Sequence, residues 1–120
     1  KNLQNEYNEA HRLLQMYDET NIEAIKHELA RLYYINYLIE KKMKKVTPKS
    51  LEYKEFLDLR ARVLNDFSTY FKIVKTNDPK FDFTEYMKDS EFYTKSMVID
   101  TDTMKGTGNM IKKVFQFIKK

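Results

Sequence analysis

The sequence predicts an all-α protein: an antiparallel helical hairpin extended to an irregular bundle of four or five helices. Three observations predict it. Two glycines and two prolines punctuate 120 residues, too few turn formers for an all-β fold. Apolar residues recur at alternating spacings of three and four, the period of one helical face. Charged residues make up 33% of the chain, above the roughly one quarter of an average domain, as long solvated helix faces require. The length suits one domain spanning residues 1–120.

Leu3, Tyr7, Ala10, Leu14 and Tyr17 form the first stripe. The frame then slips, and Ile22, Ile25, Leu29, Leu32, Asn36, Ile39 and Met43 form the second. The slip falls at Asp18-Glu19-Thr20-Asn21, where Thr20 and Glu23 have capping-box spacing. An unbroken helix over 2–45 would run ~66 Å at 1.5 Å per residue, so a break near 18–20 is favoured over one long helix with a shifted stripe. Lys41 to Lys45 close the second helix, with lysine charge complementing its carbonyl end.

Thr47-Pro48 reads as N-cap and first residue of the next helix. Its apolar pattern is Tyr53, Phe56, Leu57, Val63, Leu64, Phe67, Tyr70, Phe71 and Val74. The short connection makes the second and third helices antiparallel neighbours. Thr76-Asn77-Asp78-Pro79 reads as a loop, and the Asp82/Glu85 capping-box spacing starts a short helix near 83. Phe81, Phe83, Tyr86, Phe92 and Tyr93 crowd the next stretch. Met104, Gly108, Ile111, Phe115 and Ile118 predict a last helix over 101–119, with Gly108 on its buried face; the competing reading is a loop at 105–109.

The chain has no cysteine, which excludes disulfides, thiolate nucleophiles and cysteine-bound zinc and suits a reducing, cytoplasmic setting. No apolar run reaches the roughly 18 residues that span a bilayer, and no signal peptide is visible. The chain opens on Lys1 rather than Met, which leaves room for a preceding segment.

Catalytic constellations are hard to assemble. His27-Glu28-Leu29-Ala30-Arg31 begins like the zinc-binding H-E-x-x-H helix but places Arg31 where the second histidine belongs. No Glu-x-x-His pair suggests a di-iron site. Asp58, Asp66, Asp100 and Asp102 have no spacing that makes them converge, and Gly106-Thr107-Gly108-Asn109 lacks the context of a phosphate loop. His11 and His27 read as solvated surface residues. The sequence therefore predicts no catalytic, cofactor-binding or metal-binding residue, and an interaction or regulatory module rather than an enzyme.

Two features point to partners. Residues 29–39 are apolar almost all round, and such a helix needs cover on every side. This predicts a protein partner or self-association as a homodimer, through Tyr33, Tyr34 and Tyr37 or through the aromatic 81–93 stretch. Arg60 falls inside the third stripe, as Asn36 does in the second; Arg60 either lies at the stripe edge, snorkels or pairs with an acid on a neighbouring helix, or serves as a partner-binding arginine exposed in a groove. The second feature is charge. The chain is +4 overall, but residues 41–54 hold six lysines against one glutamate, and residues 103–120 hold five lysines and no acid. Lys41, Lys42, Lys44 and Lys45, with Lys112, Lys113, Lys119 and Lys120, make nucleic-acid binding the alternative reading, such as an accessory protein of a phage or mobile element would have. The same lysines suit an anionic membrane surface. The bland account of them is macrodipole complementation and solubility.

Overall fold

The computed structural model describes residues 2–90. Among them are four α-helices and no strand: α1 (Leu3–Met16), α2 (Ile22–Met43), α3 (Leu51–Asn77) and α4 (Phe83–Lys88). The all-α bundle is as the sequence predicts. The last helix expected over 101–119, with Gly108, and the aromatics Phe92 and Tyr93 lie outside the described residues.

Helix α1 buries Leu3, Tyr7, Ala10 and Leu14 of the first sequence stripe, while Tyr17, its fifth member, is the half-buried C-cap beyond the helix. The helix ends at Met16, so the chain breaks where the frame slips. The Thr20/Glu23 capping box does not form. Instead the Asp18 carboxylate accepts from the backbone N–H and the hydroxyl of Thr20, both at 2.8 Å, which turns the chain and holds the Asp18 carboxyl below the usual range. Asn21 is the N-cap of α2, without a side-chain cap bond.

Helix α2 is the element the others share. Ile25, Leu29, Leu32, Asn36, Ile39 and Met43 are buried as its stripe predicts, and Glu28, Ala30, Tyr33 and Ile35 are buried beside them. Its near all-round apolarity is met within the chain: α1 and α3 pack along it, and Phe83 at the head of α4 packs on Tyr33. Self-association is thus not required to cover it.

Helix α3 starts later than its sequence signal. Thr47 to Ser50 form a turn in which the Ser50 N–H and hydroxyl both donate to the Thr47 carbonyl, and the Ser50 side chain accepts from the Tyr53 N–H. Ser50 is therefore the N-cap, and Pro48 sits at the second position of a β-turn that also suits its fixed φ. The helix runs through Asn77, two residues into the expected loop. Side chains of Thr76 and Asn77 donate to the carbonyls of Lys72 and Ile73 and keep the last turn wound. The buried face holds Leu59, Val63, Phe67, Phe71 and Val74, so Leu59 takes the place the stripe gave to Arg60. Arg60 lies at the edge, its Nη1 3.6 Å from Glu40 Oε1. With Lys26 Nζ 3.3 Å from Asp78 Oδ2, this pair fixes α2 and α3 as antiparallel.

At the other end the chain turns back through Phe81, and the Asp82 side chain caps α4 by accepting from the Glu85 N–H. Phe83 sits edge-on to Phe67 at 5.0 Å, and Phe81 packs on Phe71 at 6.2 Å. Lys75 donates to the Pro79 and Phe81 carbonyls, satisfying this turn.

One core position is polar. Asn36 is 3% exposed and its Oδ1 has no hydrogen-bond partner among the described residues. A buried unsatisfied acceptor is costly, whereas an apolar side chain of the same branching loses nothing there. Asn36→Leu should therefore raise stability by about 1 kcal/mol, measured as a higher midpoint in urea unfolding. A lower midpoint would mean that the amide is a satisfied part of the core.

Candidate functional site

Three groupings of polar residues stand out. The first joins α1 to α3. Asp66, with its side chain 9% exposed, accepts at 2.7 Å from His11 Nδ1, whose ring is 39% exposed. The Tyr7 hydroxyl lies 3.5 Å from the same nitrogen. Because that nitrogen gives its proton to Asp66, it cannot also accept from the phenol, so the phenol proton turns to the Asp66 carboxylate. Burial raises the Tyr7 phenol above the usual tyrosine range; the hydrogen bond to Asp66 and its charge push the same way, and Arg62 opposes them. Burial likewise raises Tyr70, helped by Asp66 and Glu19.

The second grouping surrounds Glu28, 2% exposed on α2. Its Oε2 accepts from His27 Nδ1 at 3.0 Å. Arg31 Nε approaches Oε1 at 3.3 Å, an ionic contact out of line for a hydrogen bond, and Arg31 Nη1 reaches Glu9 of α1 at 3.8 Å. Burial raises Tyr86, helped by Glu23 and Glu28.

The two histidines are therefore not simply solvated, as the sequence suggested. Each is half-exposed and turns Nδ1 to a buried carboxylate. A carboxylate that orients an imidazole is one part of a general base, but His11 and His27 stand on different helices with separate carboxylates. Among the described residues no group of three or more histidine, aspartate or glutamate side chains could hold a metal ion. What both groupings visibly do is tie helices together: α1 to α3 through Asp66, and α1 to α2 through Arg31.

The third grouping is the loop end of the α2–α3 hairpin. Lys41 and Lys42 lie in the last turn of α2, Lys44 is its C-cap, Lys45 follows, Lys49 is in the turn and Lys54 is in the first turns of α3. All six are exposed, and among the described residues none enters an ion pair. Lys41 Nζ stands 5.8 Å over the Tyr37 ring, a weak cation–π contact at an exposed site. Glu52 and Glu55 are the exposed acids nearby. Leu51, the first residue of α3, is 73% exposed, the most exposed large hydrophobic of the described chain.

The other residues singled out from sequence are scattered. Tyr33 belongs to the core, 5.6 Å from Phe83, and offers no docking surface. Tyr34 and Tyr37 are half-buried. Phe81 and Phe83 are core residues as well, which removes most of the aromatic 81–93 surface. Lys112, Lys113, Lys119 and Lys120 lie outside the described residues. No described helix is long and apolar enough to cross a membrane. Compared with protein-family models, with curated proteins and with solved structures, the chain matches none.

Two outcomes test the polar seams. Asp66→Ala takes the shared acceptor from both Tyr7 and His11 and should cost about 2 kcal/mol; His11→Ala should cost less, under about 1 kcal/mol, because water can enter the space the half-exposed ring vacates and solvate the Asp66 carboxylate. Equal losses in urea unfolding would contradict this ranking. The phenols set an alkaline limit. Below the ordinary tyrosine value of 10.0 they are neutral in folded and unfolded chain alike, and their contribution is complete. Above it the unfolded chain releases protons that the folded chain retains, so stability falls as pH rises. Tyrosinate absorbance at 295 nm should show a late phase that coincides with loss of helix by circular dichroism; full ionisation while the helices persist would contradict it.

Proposed function

We propose that this protein is a non-catalytic interaction module that docks through the basic end of its α2–α3 hairpin onto a partner with an anionic surface. One observation carries this reading. Dipole complementation accounts for Lys41, Lys42 and Lys44, which sit at the carbonyl end of α2. It does not account for Lys49 and Lys54, which sit at the N–H end of α3, where the dipole disfavours a cation. Both helix ends thus present lysine to the same region, and two of the six charges are placed against the local field. Like charges so gathered repel one another and favour an anionic counterpart.

The histidines and buried carboxylates support the same reading from the other side, since their hydrogen bonds are used to hold the helices. The charge alone suits any anionic surface. Nucleic acid is the second reading, favoured by the half-buried rings of Tyr37 and Tyr53 near these lysines, which resemble the stacking groups of single-strand binders.

The test is a triple charge reversal, Lys44→Glu, Lys45→Glu and Lys49→Glu, all at exposed positions. On immobilised heparin, a plain polyanion, the native protein should elute at clearly higher salt than the variant while their helix contents agree. Equal elution would remove the hairpin end as the docking surface. Binding to a short mixed-sequence DNA that falls steeply with salt would favour the second reading.

A further inference from the structure

Resting on that reading, we infer that the anionic surface is a phospholipid headgroup layer, on which the hairpin end sits with Leu51 as its apolar anchor. Leu51 is the observation that separates lipid from the other polyanions. It is the first residue of α3, 73% exposed, immediately after the turn that carries Lys49 and one turn before Lys54. The Ser50 cap fixes where the helix begins, so Leu51 is held on a rigid element. The side chain lies at the loop end of two antiparallel helices, in the same short stretch of chain as the exposed Lys44, Lys45, Lys49 and Lys54.

A phosphodiester backbone meets those ammonium groups but gives a leucine no apolar surroundings. An acidic protein surface offers an apolar pocket only by local design. A bilayer of anionic lipid offers both at once: headgroup charge for the lysines and acyl chains just beneath for the leucine. The absence of arginine among the six cations points the same way. Lysine is a point charge without a fixed fork and favours diffuse charge over bidentate recognition of individual phosphates. Lysine stems also let the charges stay at headgroup level while their carbons lie along the acyl boundary. Glu52 and Glu55 weaken the attraction but are outnumbered. The mode is peripheral, since no described helix is long and apolar enough to cross a membrane.

The protein has no tryptophan, so Leu51→Trp installs a single reporter. With vesicles of phosphatidylcholine containing about 30% phosphatidylserine, its emission should shift to the blue and rise, and with pure phosphatidylcholine vesicles it should not change. In co-sedimentation with the anionic vesicles, Leu51→Ser should weaken binding about tenfold, as expected for a leucine side chain only partly withdrawn from water. The triple reversal at Lys44, Lys45 and Lys49 should abolish binding, and 0.5 M salt should weaken it strongly. No preference for anionic over neutral vesicles overturns the inference. So does a loss caused by the triple reversal with Leu51→Ser unaffected; that result leaves a basic docking surface in place and points to nucleic acid or an acidic protein. If the triple reversal changes neither vesicle binding nor heparin elution, the docking reading itself fails.

Discussion

Everything in this fold answers to the sidedness of α2. Twenty-two residues long, it buries ten of them, and so broad an apolar surface cannot face water along any flank. In a chain of this size the cover has to come from its own neighbours in sequence. The break after Met16 lets α1 fold back along one side, the Thr47–Ser50 turn returns α3 along another, and the turn through Phe81 folds Phe83 onto a third. Each connection is short, which makes antiparallel packing the only way back. The wide stripe that would ask for a second chain in an isolated helix is here the reason for a three-sided arrangement.

Packing alone does not fix the positions of helices whose contacts are mostly leucine, isoleucine and phenylalanine. The buried polar groups supply register. Asp66 on α3 can satisfy Tyr7 and His11 only when α1 lies at one height and one rotation. Arg31 reaches Glu9 from α2 under the same condition while it faces Glu28. Burying a carboxylate is unfavourable in itself, so these seams contribute less to net stability than to the choice among alternative packings. Asn36 is a different case. Its amide oxygen is buried without a partner among the described residues, so it gives no such registration there and stands as a local cost.

The parts of this arrangement legible in the sequence are those governed by period. Most of the stripes of α1 and α2 was readable, because a buried helical face repeats every three or four positions whatever it packs against; Tyr17 and Ile22 at their ends are only half-buried, and Glu28, Ala30, Tyr33 and Ile35 are buried outside the stripe. The start of α4 was readable because Asp82 caps a helix only three residues away in sequence. What was illegible depends on distant partners or on competition between close alternatives. His11 and Asp66 are 55 residues apart, and nothing local to either announces the other. Arg60 and Leu59 are adjacent, and a stripe drawn from Phe56 to Val63 runs through the wrong one of them; only the position of Glu40 across the hairpin settles which way α3 is turned. Thr47-Pro48 has the composition of a helix start, yet Ser50 offers the same cap three residues on, and the proline is equally at home in the turn.

The hairpin end differs from the rest of the surface in how many cations it gathers. Elsewhere cations are mixed: Lys88 faces Glu85 one turn away, Arg60 faces Glu40 and Lys26 bridges Glu23 and Asp78, while the scattered Arg62, Lys72 and Lys80 enter no ion pair among the described residues. Between Lys41 and Lys54 six lysines gather with no ion pair among the described residues, even though Glu52 and Glu55 are close in sequence. The exposed Leu51 belongs to the same few residues. A stability argument would place an acid or a small polar residue at the first position of α3, where the N–H groups favour negative charge, and would leave no large apolar side chain in water. Departures from local consistency concentrate where a protein answers to something other than its own fold. Here two such departures, uncompensated lysines and a solvent-facing leucine, fall on one corner whose turn is closed by Ser50 onto Thr47 and whose helix start is capped by the Ser50 side chain, so neither can be traced to a poorly formed turn.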